Sequence, residues 1–220
     1  MIKAVLFDMI GTTVIENDPG FMITCFEKAF LQNNIPHDIN VLIANRGKNK
    51  LQMIQASLQQ KNIDPGLAPK ILDDLNTIVS NNLNNFSENE YVPAVFEFLR
   101  KRKIKIAIGS GLPHLLCIQI YEQLGWSKYE ISYMNDSESL GKSRPNPVMI
   151  YDMMKRLQIL LPKEVIKIGD TIADIREGKN AGTYTAVVLS GTQSEDELRK
   201  ENPDMILNSL KDIMNINLFD

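Results

Sequence analysis

The chain opens on a run of apolar residues, 2–7, broken only by Lys3 and followed at once by a polar turn containing Gly11. Runs of this kind suit a strand buried on both faces. Similar runs recur at residues 104–108, 130–134, 165–168, 184–189 and 205–207. Between them lie helical patterns at 95–100, 115–124, 148–157, 174–179 and 195–200. Strands alternating with helices predict an α/β fold, a parallel sheet with helices on both faces.

Residues 18–91 break this rhythm, with no good strand and several helical stripes. Met22, Cys25, Phe26, Ala29 and Phe30 form one; Leu51, Ile54 and Leu58 a second; Ile71, Leu75, Ile78, Val79 and Leu83 a third. Turn signals separate them at Asn33-Asn34-Ile35-Pro36 and Asp64-Pro65-Gly66. The expected organisation is a helical insert over 18–91, placed after the first strand, in a core made of 1–17 and 92–220. Pro93 lies near its return point.

Composition narrows the function classes. A hydrophobic fraction of 44% is enough for a sizeable core, and 24 basic against 27 acidic residues argue against a nucleic-acid binder. The cluster Arg100-Lys101-Arg102-Lys103 reads as a solvated helix end. Cys25 and Cys117 each sit inside an apolar helical pattern, as buried thiols of a reducing compartment do. No apolar stretch approaches the ~20 residues of a membrane helix, and the start of the chain lacks the marks of a signal peptide. The expectation is a cytoplasmic protein without membrane or nucleic-acid partners.

Ligands of parallel sheets collect beyond the carboxyl ends of the strands, and four strand ends here carry polar residues. They are Asp8 with Gly11 and Thr12; Ser110 with Gly111; Arg144, in the segment after residue 134; and Asp170 with Asp174. A carboxylate can attack phosphorus and split one difficult step into two. Asp8 and Asp170, with the main-chain carbonyl of Ile10, suit Mg²⁺, which favours one or two carboxylates plus phosphate oxygens and water. Arg144, Ser110, Thr12, Gly111 and the amides of the Gly11 turn are the expected donors to phosphoryl oxygens. Singly, these residues are ordinary: an Asp ending a strand often caps a helix, and Ser110 could serve a turn. In order, each at a strand end, they converge on one chemistry.

These motifs resemble those of the haloacid dehalogenase superfamily, in Asp8 to Thr12, Ser110, Arg144 and the long run from Gly169-Asp170 through Asp174 to Gly182. The resemblance spans the chain. It implies a Rossmann-like parallel sheet core with a small α-helical cap inserted after strand 1, Asp8 as nucleophile and Asp170 as metal ligand. Asp174 would be a ligand or an anchor for the metal's waters.

Within the superfamily the pattern is most similar to phosphonoacetaldehyde hydrolase and its phosphonatase-like relatives. Most phosphatases of the superfamily carry a second Asp where this chain has Ile10, and Lys where it has Arg144, as phosphonatases do. Lys50, three residues after Gly47, matches the cap lysine that forms a Schiff base there. The features are linked: an ester phosphatase protonates its leaving group through the second Asp, whereas an imine accepts the electrons of a breaking C–P bond. Arg46 and Lys48 are the expected perturbers that keep Lys50 partly neutral, and Arg46 is also a candidate phosphate ligand. The plainer account of Lys50 is an exposed lysine on a polar helix face. The chain departs from phosphonatases at Ile10 (usually Ala), Met53 (His), Arg46 (Met) and Leu112 (Tyr).

The resemblance thus implies a Mg²⁺-dependent hydrolase of phosphonoacetaldehyde or a similar small phosphonate. The alternatives are a phosphatase of a small phosphorylated metabolite and a non-catalytic protein that binds one. Phosphonatases pair through their caps. The stripe from Met22 to Phe30 would serve such a homodimer, and the cap's own core explains it equally well.

Overall fold

A computed structural model describes residues 1–191 and 193–219. Six parallel strands form the sheet: β1 (Ala4–Phe7), β4 (Lys105–Ser110), β5 (Ile131–Asp136), β6 (Val165–Gly169), β7 (Tyr184–Val188) and β8 (Met205–Leu207), in spatial order β5-β4-β1-β6-β7-β8. The crossover helices are α5 (Val92–Lys101), α6 (His114–Gln123), α7 (Val148–Arg156), α8 (Ile172–Ala181) and α9 (Glu195–Lys200). β1 lies between β4 and β6, with Phe7 opposite both Ile108 and Ile168. Their carboxyl ends therefore share one rim, where Asp8, Ser110 and Asp170 follow.

The continuous apolar run of β1 has a direct cause. Val5 and Phe7 join one core, in which the Phe7 and Phe96 rings lie 5.5 Å apart, while Ala4 and Leu6 face Ile150 and Met153 of α7 in another. Both faces are dry, so no polar alternation survives. Each large side chain so buried contributes about 1.5–3 kcal/mol.

The stretch between the first strand and α5 holds α1 (Phe21–Gln32), α2 (Ile39–Ala44), α3 (Lys50–Gln60) and α4 (Ala68–Ser80). The stripe Met22, Cys25, Phe26, Ala29 and Phe30 is buried inside the insert, where α1 packs on α4 through Ile71, Leu75 and Val79. Both cysteines are buried and free. No helix among the described residues is long and apolar enough to cross a membrane.

The expectation of no strand in this stretch is corrected. Phe86–Glu88 forms β3, antiparallel to β2 (Val14–Glu16), with Ile15 opposite Ser87. A three-residue strand is too short for alternation to register, and Phe86 is held by the Phe21 ring at 5.5 Å. This ribbon joins the insert to the sheet at both of its crossings and fixes where the insert stands over the strand ends. Glu16, the last residue of β2, accepts hydrogen bonds from the amides of Gly20 and Met22 at the start of α1.

Candidate active site

Asp8 follows β1 directly, and its amide donates to the Ile168 carbonyl at 2.9 Å. The turn that follows folds over Asp170. Gly11 has φ +88°, and a Cβ there would lie 2.4 Å from Asp170 Oδ2, so only glycine fits. Two amides of this turn, expected as donors to the phosphoryl group, are taken locally: Gly11 N–H donates to Val14 O and Thr12 N–H to Met9 O. The Thr12 hydroxyl is also turned away from that task, donating to Asp170 Oδ1 at 3.3 Å. Its place is beneath the carboxylate, which it orients.

Arg144 is the hub. It is 2% exposed; Nη1 reaches Asp8 Oδ1 at 2.8 Å, Nε reaches Glu177 at 2.9 Å, and Nη2 donates to Gly109 O at 2.6 Å. Asp174 Oδ1 lies 3.2 Å from Nη1. Burial alone would strip this proton, but the carboxylates of Asp174, Asp8 and Glu177 hold the guanidinium charged, well above its ordinary pKa. In return Arg144 opposes the burial that raises the Asp8 carboxyl. Asp174 shows the balance reversed, lowered by Arg144 and Lys167 in spite of its burial.

Lys167 and Glu177 belong to this network and were not among the predicted site residues. Lys167 Nζ lies 2.7 Å from Asp174 Oδ1 and 3.7 Å from Glu177, all three fully buried. The signal was present: a lysine inside the apolar run 165–168 must be paired if the strand is buried on both faces. Glu177 stands one helical turn after Asp174, on the same face of α8.

Asp8, Asp170 and Asp174 each bring a carboxylate oxygen within 4.8 Å of the others, a set able to hold a metal ion. Four buried carboxylates (Asp8, Asp170, Asp174, Glu177) meet two buried cations (Arg144, Lys167) in this network, and the partly buried Lys50 and Arg46 face the same cavity. Burial, then the charges of Asp8 and Asp174, push the Asp170 carboxyl well above the usual range.

The loop between α2 and α3 closes over this rim. Asn49 N–H donates to Ser143 Oγ at 2.8 Å, its side chain to Ser137 Oγ at 3.2 Å, and Gly47 O accepts from Arg144 at 3.2 Å. A Cβ on Gly111 would lie 2.6 Å from Lys48 O and 2.8 Å from Gly47 O, backbone atoms that cannot turn aside. Gly111 therefore sets how closely the loop approaches. Gly111→Ala is expected to lift the loop, lower kcat/KM by roughly 10²-fold through misplacement of Lys50, and leave the melting temperature within a few degrees. Steady-state kinetics beside a thermal melt checks this.

Beneath the loop lies a cavity of about 270 Å³. Asp8, Ile10, Gly11, Lys50, Ser110 and Gly111 face it, as do Arg46, Arg144 and Asp170, so the predicted residues other than Thr12 and Asp174 gather on one space. Ser110 also accepts the Leu112 amide at 3.1 Å, so its turn role and its place in the cavity coexist.

Lys50 is the first residue of α3, partly buried, and faces the cavity rather than solvent. Burial lowers its pKa; Asp8 raises it and Arg144 lowers it further. Arg46 and Lys48, the candidate perturbers, are not among the largest influences on it, which are burial, Asp8 and Arg144. Lys48 Nζ is bound to Asn45 Oδ1 at 2.9 Å. Of the histidines, His37 stacks on Phe30 and His114 pairs with Asp136 at 2.8 Å, both outside the cavity.

Parallel sheet, acidic rim and covering insert together define a class. The haloacid dehalogenase-like hydrolase family matches residues 2–182, and the chain belongs to it. It is an enzyme, which removes the ground for a non-catalytic binding protein.

Phosphonoacetaldehyde hydrolases are among its relatives. That of Bacillus cytotoxicus is 30% identical over 57% of this chain and 47% of its own length, so the match spans about half of that relative. That of Latilactobacillus sakei is 26% identical over 87% of this chain and 77% of its own. A crystal structure of a phosphonoacetaldehyde hydrolase like protein from Oleispira antarctica superposes with a TM-score of 0.83 at 18% identity, covering 99% of this chain and 92% of that one, a likeness of fold.

Proposed function

We propose that the protein hydrolyses the C–P bond of phosphonoacetaldehyde or a similarly small carbonyl phosphonate. One observation carries this reading: Lys50, with a lowered pKa, lines the same small cavity as Asp8, while Ile10 occupies the place from which an acid would protonate a leaving group. Neutral Lys50 Nζ adds to the aldehyde and loses water to form an imine. Asp8 then attacks phosphorus; the O–P bond forms, the C–P bond breaks, and its electron pair enters the protonated imine to give an enamine. Water hydrolyses the aspartyl phosphate to phosphate. The enamine takes a proton and is hydrolysed, releasing acetaldehyde and free Lys50.

Asp8 and Asp170, with the Ile10 carbonyl, would hold Mg²⁺, which supplies positive charge for the phosphoryl oxygens. Arg144 favours the ionised form of Asp8 against its burial and aims it, and Ser110 offers a hydroxyl to the phosphoryl group. The apolar wall of Phe26, Met53 and Leu112 excludes water while the imine forms.

Incubation with phosphonoacetaldehyde and borohydride is expected to label Lys50 and stop phosphate release. Absence of label on Lys50, with no phosphate released from the unreduced sample, would sink the proposal. A second reading is favoured by Arg46, which faces the cavity and makes no ion pair among the described residues. A free cation there suits a phosphorylated metabolite with a further anionic group. Phosphate-ester turnover by Lys50→Ala equal to that of the unaltered protein would support it.

A further inference from the structure

Both oxygens of Asp174 are already engaged. Oδ2 accepts from the Thr171 hydroxyl and from the Thr171 amide at 3.2 Å. Oδ1 lies 2.7 Å from Lys167 Nζ and 3.2 Å from Arg144 Nη1, as close charge pairs rather than aligned hydrogen bonds. Asp8 and Asp170 differ. Among the described residues, each has one oxygen taken, Asp8 Oδ1 by Arg144 and Asp170 Oδ1 by Thr12, and an Oδ2 that accepts no hydrogen bond. Three carboxylates thus lie within ligating distance of one another, and among the described residues only Asp8 and Asp170 have an oxygen with neither a hydrogen bond nor an ion pair.

Lys167 is what makes Asp174 different. It rises from β6, has no exposed side-chain surface, and is anchored by its hydrogen bond to Ile168 O at 3.3 Å. A buried lysine so placed cannot leave for solvent, and its charge has Asp174 and Glu177 as its partners. Arg144, the other cation on Asp174, is shared with Asp8 and Glu177 and cannot replace it.

We infer that Lys167 is a positioning residue that holds Asp174 out of the metal's inner coordination shell. The shell then keeps two protein carboxylates and leaves positions open for water and a phosphoryl oxygen, in line with the preference of Mg²⁺ for few protein ligands. The inference rests on the metal site of the proposed function. In Lys167→Met, an unbranched apolar side chain fills the same space, Asp174 Oδ1 loses its nearest cation, and the carboxylate turns to the metal.

The test uses Mn²⁺ alone, with affinity read by electron paramagnetic resonance and bound waters counted by water-proton relaxation. Changes in residues that orient ligands move metal affinity by roughly 10–100-fold. Lys167→Met is expected to bind Mn²⁺ roughly tenfold more tightly and with one fewer coordinated water than the unaltered protein. Unchanged or weaker affinity, or an unchanged water count, overturns the inference. Should Lys167→Met fail to fold, Lys167→Gln is measured in its place by the same two criteria. If the unaltered protein binds no Mn²⁺, the metal site itself fails and the inference with it; binding without these changes in the variant overturns the inference alone.

Discussion

Asp8→Asn is expected to lower kcat by roughly 10⁴- to 10⁶-fold, the usual cost of losing a covalent nucleophile. The amide matches the carboxylate in shape but cannot form the aspartyl phosphate. The protein should stay folded. Burial already opposes the Asp8 charge, and Arg144 keeps its contacts with Glu177, Asp174 and Gly109 O. A change below about 1 kcal/mol in unfolding free energy is expected, comparable to one hydrogen bond. Phosphate release set beside denaturant unfolding checks both halves. Residual turnover above a hundredth of the starting rate would move the nucleophile elsewhere.

The largest stability effect belongs to Arg144→Met. Removing one member of a buried charge network leaves its partners uncompensated, at a cost of about 3–5 kcal/mol. Here three carboxylates lose their shared cation. The loss should depend on pH with a definite sign. Burial raises the Glu177 carboxyl above its ordinary value, and Arg144 is the leading influence that lowers it. Without Arg144 the folded-state pKa rises further. The folded protein then keeps a proton that the unfolded chain has released, so its stability falls as pH rises from the ordinary Glu range through the folded value. Unfolding curves for both proteins at pH 5 and pH 8 are expected to show the larger deficit at pH 8. An equal deficit at both would mean that the cost is one of packing.

The variant should also lose activity, because Arg144 both aims Asp8 and holds the Gly47 carbonyl of the covering loop. This places Lys50 and Asp8 under one control. A residue of the core holds Asp8 and, through a main-chain contact, the loop that carries the lysine. Gly111 and Asn49 set the same approach from the other side.

Much of this architecture can be read along the chain. The strands are legible because both faces of the sheet are dry, which makes each strand a short apolar block, and the insert's helices because one face of each is buried. Asp8, Ser110, Arg144 and Asp170 are legible because strand ends in a parallel sheet are brought to one rim by the fold. Family resemblance pointed to Lys50, and the fold puts it on the same cavity as Asp8.

Other features required the third dimension. The β2–β3 ribbon pairs residues distant in the chain, such as Ile15 with Ser87, and three residues carry no period of their own. Two amides of the Gly11 turn, those of Gly11 and Thr12, are taken by local hydrogen bonds that the run of residues does not show. Which cations perturb Lys50 depends on distance across the cavity rather than along the chain, so Arg144 outranks its neighbours Arg46 and Lys48. Lys167 is the clearest case. The sequence determined that a lysine would lie within a buried strand, and charge physics requires a partner for it. Only the packing of α8 over β6 decided that the partners are Asp174 and Glu177, because the energy of a buried charge is set by what surrounds it in space.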